Sequence, residues 1–93
     1  MLPVVWAKEA DDDLAEITNY IGEINPIAAS RLWQLIVEST TYLSEHPYLF
    51  KMSERVPGCR EIVVHPNYVV FYSVKVDCIE ILRVVHSRQK YPL

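Results

Sequence analysis

The chain has 93 residues, of which 51% are hydrophobic, and a formal net charge of −3 at pH 7. This length and apolar fraction predict one domain around a single core and exclude a disordered chain. No apolar run approaches the roughly 20 residues of a membrane span, and the N-terminal residues lack the features of a secretory signal, so we expect a cytoplasmic protein without membrane contact.

The first half of the chain predicts a short strand followed by two helices. Residues 2–6 are apolar and β-branched, as in a strand. The acidic run at 11–13 favours the first turns of a helix, and its apolar stripe continues to Ile24. Asn25 and Pro26 then predict a second helix, as N-cap and first helical residue, and His46 before Pro47 ends it near Glu45. The predicted core-facing stripe of this helix is Ala28, Leu32, Leu35, Ile36, Ser39, Tyr42 and Leu43, and a second stripe contains Ala29, Trp33 and Val37.

The second half predicts a loop and three strands. The loop at 47–58 is too apolar for a free linker, so we expect it to fold back on the core. The runs 60–65, 67–76 and 78–86 have connections too short for parallel crossovers and therefore predict an antiparallel meander. The middle run is apolar on both faces, as in a central strand covered on both sides. The predicted order is β-α-α-β-β-β, an α+β domain with a helical hairpin packed on an antiparallel sheet.

The two cysteines, Cys59 and Cys78, stand at the predicted starts of separate strands. A structural metal site needs about four ligands, and no C-x-x-C or H-x-x-x-H spacing supplies them. We therefore expect two partly buried thiols, no metal and no cofactor.

The two halves of the chain carry opposite charge. Residues 1–50 hold eight acidic and two basic side chains, a net charge of −6, whereas residues 51–93 hold seven basic and four acidic ones, a net charge of +3. This asymmetry predicts a polarised surface on which anionic partners meet the second half. The overall pI of 5.5 argues against a protein built mainly to bind RNA.

Six segments, in order along the chain, resemble those of the RelE/ParE superfamily, the growth-arresting halves of bacterial toxin–antitoxin pairs. The first is Ala10-x-x-Asp13-Leu14-x-x-Ile17-x-x-Tyr20-Ile21, which is similar to the first-helix pattern of ParE proteins. Residues 44–49, 55–58, 60–63 and 65–68 look like a ParE branch found in three-gene operons for a regulator, an antitoxin and a toxin. Residues 80–88 resemble the final-strand signature of the superfamily.

This resemblance implies a single RelE/ParE-type toxin domain over residues 1–93. It implies the toxin of a type II toxin–antitoxin system, which poisons DNA gyrase by protein contact and is neutralised by its cognate antitoxin. No catalytic residue and no sequence-specific binding of nucleic acid are then expected. ParE antitoxins thread a flexible segment around their toxin, a mode that uses apolar anchors. The candidate residues for antitoxin or target binding are Trp33, Val37, Arg83, His86, Arg88, Lys90 and Tyr91.

The superfamily also implies an alternative function, a ribosome-dependent mRNA endoribonuclease of RelE type. Its site would use His86, with Arg60, Arg83 and Arg88 around the phosphate. Strand alternation puts His86 opposite Arg83 unless a bulge intervenes. Val64 stands where RelE carries a central-strand arginine, so the expected cation cluster is incomplete. A module that only binds its antitoxin is a third possibility.

Arg83 allows two interpretations. It is predicted to share a face with Ile79, Ile81 and Val85, so its guanidinium either pairs with a carboxylate within the fold or projects from an apolar surface.

Three aromatic residues likewise allow two interpretations each. Tyr68 and Tyr72 are predicted to share a face of the middle strand. Their rings either lie in the core or form an exposed aromatic platform. Trp33 is either buried against the 47–52 loop or part of an antitoxin-binding surface.

Overall fold

The computed structural model describes residues 1–91, and its order of elements is the predicted one. The sheet contains β1 (Val4–Trp6), β2 (Arg60–His65), β3 (Tyr68–Val74) and β4 (Ile79–His86). Two helices, α1 (Lys8–Ile24) and α2 (Pro26–Thr41), pack on one face of it, and a 3₁₀ turn, Tyr42–Ser44, follows α2. None of the helices in residues 1–91 is long and apolar enough to cross a membrane.

The strand order is β1-β4-β3-β2. The three C-terminal strands form the predicted antiparallel meander, whereas β1 pairs with β4 in parallel, beginning with Val4 opposite Ile79. The sheet is therefore mixed. Because β1 spans three residues, its pairing with β4 stops at Ile81, and the rest of that edge of β4 lies beside α1.

The helical hairpin forms where the sequence predicts it. The side chain of Asn25 accepts a hydrogen bond from the backbone N–H of Ala28 at 3.1 Å, which confirms the N-cap, and Pro26 is the first residue of α2. Gly22 stays within α1, where a Cβ would stand 3.6 Å from that of Ala29. The absence of a side chain at Gly22 thus suits the close approach of the two helices.

The predicted buried stripe of α2 was partly wrong. Leu35 is 43% exposed and Tyr42 is 65% exposed. The helix also ends as an α-helix at Thr41, short of the predicted end near Glu45, because the chain tightens there into the 3₁₀ turn. The residues that α2 and this turn do bury are Ala29, Leu32, Ile36, Thr40 and Leu43.

Both faces of β3, the middle strand of the meander, are covered, as predicted. The helix-facing core joins Leu14 of α1 and Ile36 of α2 to Val70, Tyr72 and other strand residues. On the opposite face, Val69, Phe71 and Val85 form a smaller cluster under Val56 and Tyr91. Tyr72 is therefore a core ring, and its hydroxyl donates to the carbonyl of Pro47 at 3.0 Å.

The 47–58 loop folds back on the sheet. Phe50 packs against the helix-facing core, and Met52 forms an isolated bridge with Arg60. Gly58, at φ 81°, lies in the left-handed region, where glycine is favoured. The buried thiol of Cys59 follows it and is free, as is that of Cys78.

Candidate functional site

A bulge in β4 decides where the C-terminal candidate residues lie. Tyr72 pairs with Ile81, but the preceding residue, Phe71, pairs with Arg83, so Leu82 is the extra residue of β4. The alternation of faces therefore reverses at this point. Arg83 lies on the side of Phe71, away from Ile79 and Ile81, which belong to the helix-facing core. The predicted sharing of a face with Ile79 and Ile81 was wrong, because the bulge cannot be read from the sequence pattern.

Arg83 is paired within the fold. Its Nε donates to Oδ2 of Asp13 at 2.6 Å and its Nη2 donates to Oδ1 at 3.1 Å. The backbone N–H of Val84 donates to the same Oδ2 at 2.9 Å. The hydrogen bond with the Asp13 carboxylate raises the pKa of Arg83. Of the two interpretations of Arg83, pairing with a carboxylate is thus confirmed.

Asp13 reaches this position because β1 is short. Beyond Ile81, no strand within residues 1–91 lies beside β4 on this edge, and α1 starts directly after β1. The carboxylate of Asp13 on the second turn of α1 supplies the acceptor that a longer β1 would have provided to Val84. Sequence reasoning placed Asp13 as a favourable charge near the helix start and as part of the pattern that resembles the first helix of ParE proteins, but it missed this role.

A cavity of about 340 Å³ lies between α1 and the end of the sheet, next to the Asp13–Arg83 pair. It brings Arg83 and His86 into one pocket, although the two side chains leave opposite faces of β4. The residues that line it beside the pair include Glu16, Ile17, Tyr20, Tyr68, His86 and Gln89. We call this cavity the α1 pocket. Of this set, the sequence indicated only Tyr68, Arg83 and His86 as possible site residues, since nothing in the spacing of the residues linked the strands to α1.

A row of three rings crosses the sheet at this end. The ring of Tyr68 lies 6.0 Å from that of His65 and 5.4 Å from that of His86, between centroids. Nδ1 of His65 accepts from the backbone N–H of Asn67, and Nδ1 of His86 accepts from that of Arg88, each at 3.1 Å. In a neutral imidazole this arrangement leaves the proton on Nε2, so both rings can donate a hydrogen bond.

The structure does not bring Arg60 to His86. Arg60 pairs with Tyr72, whereas His86 pairs with Tyr68, four residues away along β3, or roughly 13 Å. Nη1 of Arg60 donates to the carbonyl of Phe50 at 2.7 Å, and its guanidinium lies 5.0 Å from the ring centroid of Tyr48. Arg60 therefore contacts the 47–52 loop and fastens it to β2. The four residues of the alternative nuclease site do not form a cluster.

The remaining candidates divide into exposed and packed residues. Trp33 is 48% exposed rather than buried, and Val37 packs against the edge of the core. Arg88 and Lys90 are exposed at the end of β4. Tyr91 instead packs on the face opposite the helices, 5.3 Å from the ring of Phe71 and 5.1 Å from the guanidinium of Arg83.

Comparisons with known proteins agree with this architecture. The family "ParE toxin of type II toxin-antitoxin system, parDE" matches residues 4–91. Toxin RelE2 of Caulobacter vibrioides is 34% identical over 87 residues, which cover 94% of this chain and 97% of that protein. A chain in the structure of the chromosomal ParDE TA system from P. aeruginosa is 29% identical, with a TM-score of 0.80 over 92% of this chain and 96% of that one.

A more distant structure shares the fold alone. A YafQ mutant from E. coli has a TM-score of 0.65 over 94% of both chains, at 11% identity. The family match spans nearly all of the described residues, and the sequence relative is similar over almost its whole length. The chain therefore belongs to the ParE toxins of type II toxin–antitoxin systems.

Proposed function

We propose that this protein arrests growth by binding DNA gyrase in the cytoplasm and trapping the enzyme on cleaved DNA. The observation that carries the proposal is that Arg60 and Arg83, two arginines of the alternative nuclease site, are hydrogen-bonded within the fold. Arg83 is held by Asp13 and Arg60 by the carbonyl of Phe50, so neither guanidinium stands ready to bind a phosphate. A toxin that works through protein contact needs no such cluster. The target itself is inferred from membership in the ParE family.

We also propose that a cognate antitoxin neutralises the toxin by covering its working surface. The P. aeruginosa relative comes from a ParDE toxin–antitoxin system, which supports a partner of this kind. Trp33 offers an exposed aromatic anchor on α2, and such rings dominate the energetics of many interfaces. Arg88 and Lys90 would attract an acidic segment of the antitoxin.

The gyrase proposal is tested by adding purified, folded toxin to gyrase and relaxed plasmid. We expect supercoiling to be lost while linear, cleaved DNA accumulates, and we expect antitoxin added beforehand to restore supercoiling. Toxin unfolded by heat serves as the control. Normal supercoiling at a large molar excess of folded toxin would remove gyrase as the target.

A second candidate function, ribosome-dependent cleavage of mRNA, is favoured by one observation. The row of His65, Tyr68 and His86 supplies two imidazoles and a phenol at one end of the sheet, groups that serve in acid–base chemistry. Translating ribosomes with a defined mRNA test it. Cleavage by the toxin that disappears in His86→Ala would support this function, and intact mRNA would exclude it.

A further inference from the structure

The α1 pocket has a lining suited to a positively charged side chain, because Asp13 already balances the charge of Arg83, which also lines it. Ile17 and Tyr20 of α1 form one wall, and Tyr68 and His86 of the sheet form another. Aromatic faces attract a guanidinium or ammonium group, and apolar walls accommodate its alkyl stem. Glu16 adds a carboxylate from the same turn of α1 that supplies Ile17. The cavity of about 340 Å³ is large enough to admit one such side chain.

The charge of α1 supports the same kind of occupant. Of its six acidic residues, Asp13 is paired with Arg83 and Asp12 with Lys8. None of the ion pairs within residues 1–91 involves the other four, which are exposed on the helix: Glu9, Asp11, Glu16 and Glu23. Among these four, Glu16 lines the pocket. The surface around the pocket on the helix side is thus negative, and it is complementary to a cation.

We propose that the α1 pocket receives an arginine or lysine side chain of the cognate antitoxin. This inference rests on the proposed neutralisation by an antitoxin. The cation pairs with Glu16 while its stem lies over Ile17, and a guanidinium stacks against the rings of Tyr20 or Tyr68. The antitoxin is preferred to the target because the P. aeruginosa relative comes from a ParDE toxin–antitoxin system, and because the pocket lies where two surfaces of opposite charge meet.

Those two surfaces meet at the α1 pocket, which is lined both by Glu16 of α1 and by Gln89, the residue between Arg88 and Lys90. Arg88 and Lys90 are exposed just beyond His86, whereas Glu16 and Glu23 are exposed on α1. A segment that runs from the end of β4 to α1 therefore passes from a positive to a negative surface. Its own charge must change sign accordingly, with acidic residues opposite Arg88 and Lys90 and the basic residue at the pocket. The sequence alone predicted only an anionic partner for the basic second half of the chain, and not the basic residue at the pocket.

The test compares toxin variants for binding to the purified cognate antitoxin by isothermal titration calorimetry at two salt concentrations. Glu16→Gln removes the charge of the pocket and is expected to weaken binding about tenfold, with a shallower salt dependence. Tyr20→Ala removes an aromatic wall and is expected to weaken binding by a similar factor. Asp11→Asn removes one negative charge from the same helix outside the pocket, and should change the affinity less than about twofold.

The outcomes separate this inference from the proposed function. All three substituted residues are exposed, so the variants are expected to fold, which circular dichroism checks. If the wild-type toxin does not bind the antitoxin, the proposed neutralisation fails. If the wild type binds and Glu16→Gln binds with equal affinity and salt dependence, the assignment of the pocket is overturned. An equal loss in Glu16→Gln and Asp11→Asn would likewise overturn it, because general attraction would then explain the effect.

Discussion

Asp13 and Arg83, 70 positions apart in the sequence, join the first helix to the last strand through two hydrogen bonds of 2.6 and 3.1 Å. The same carboxylate also accepts from the backbone of Val84. The two side chains are only 15% and 29% exposed, so the pair is largely withdrawn from water. The pair thus closes the edge of β4 that β1 leaves unpaired.

We expect Asp13→Ala to lower the free energy of unfolding by about 2 kcal/mol, because it leaves the guanidinium of Arg83 and the N–H of Val84 without an acceptor. Urea denaturation measures this change. Asp12→Ala is the matched control, since the ion pair of Asp12 with Lys8 is exposed and its loss should leave the midpoint unchanged. Equal midpoints for the two variants would contradict a structural role of Asp13.

Arg60 is expected to stabilise the 47–52 loop. Arg60→Ala removes the hydrogen bond to the carbonyl of Phe50 and the contact with Tyr48, at a cost of about 1–2 kcal/mol. The amide of Glu61, which donates to the carbonyl of Lys51, should then exchange faster with deuterium. The exposed Arg88→Ala should leave that exchange unaltered. Unchanged exchange in Arg60→Ala would show that the loop is held by other contacts.

We expect the ionisation of Tyr72 to lower the free energy of unfolding at alkaline pH. Burial raises the pKa of its phenol, with smaller opposing contributions from Phe50 and Arg60. The native state therefore keeps this proton more tightly than the unfolded chain. The resulting stability is fully present below the pKa of about 10 of the unfolded residue, and is lost as the pH rises through the higher native pKa.

Urea titrations between pH 8 and pH 11 measure this loss. Tyr72→Phe should be less stable at pH 8 by about 1 kcal/mol, since it lacks the hydrogen bond to Pro47, and its stability should fall less steeply at high pH. Tyr42→Phe, at an exposed position, should keep the slope of the wild type. Parallel curves for Tyr72→Phe and the wild type would contradict the assignment.

His86→Ala should leave growth arrest intact if the toxin acts on gyrase by protein contact. The imidazole lies in the α1 pocket, but inhibition of gyrase by protein contact would require no proton transfer by the toxin. Induction in cells without antitoxin, with colony counts and western blots for toxin level, measures the effect. His46→Ala, at an exposed position, is the control. A non-toxic His86→Ala protein present at the wild-type level would favour the ribonuclease function instead.

Trp33→Ala should weaken antitoxin binding by about 2 kcal/mol or more without changing the urea midpoint, because the ring is half exposed in the free toxin. Leu35→Ala provides a comparison at a similarly exposed apolar residue of the same helix. Calorimetry measures the affinity of each of the two variants for the antitoxin. A large loss of stability in Trp33→Ala would identify the ring as part of the core.

The order of elements and the hairpin could be predicted from local chemistry. Asn25 and Pro26 fix the start of α2, and His46-Pro47 marks the region where it ends. The buried side of α2 was harder to predict. Leu35 and Tyr42 have the apolar character of core residues, but the packing of the helices on the sheet leaves them outside, and only tertiary structure determines that orientation.

The candidate site could be predicted only in part. Leu82 is an apolar residue in an apolar run, so nothing local marks it as the extra residue that reverses the side of Arg83. The partner of Arg83 was equally hidden, because Asp13 is one of three consecutive aspartates. Only the packing of α1 beside β4 turns Asp13, rather than the exposed Asp11 or Asp12, toward Arg83. The walls of the α1 pocket come from segments distant in sequence.

The parallel pairing of β1 with β4 has a consequence for synthesis on the ribosome. Val4 is made well before its partner Ile79, which belongs to β4. Until β4 has left the ribosome, β3 can pair only with β2 on one side, β1 has no partner strand, and Asp13 of α1 has no Arg83 to bind. Contacts of such long range form late. A chain whose synthesis has not yet passed β4 therefore cannot complete the sheet or form the Asp13–Arg83 pair, so we expect the toxin to become competent only after β4 has emerged.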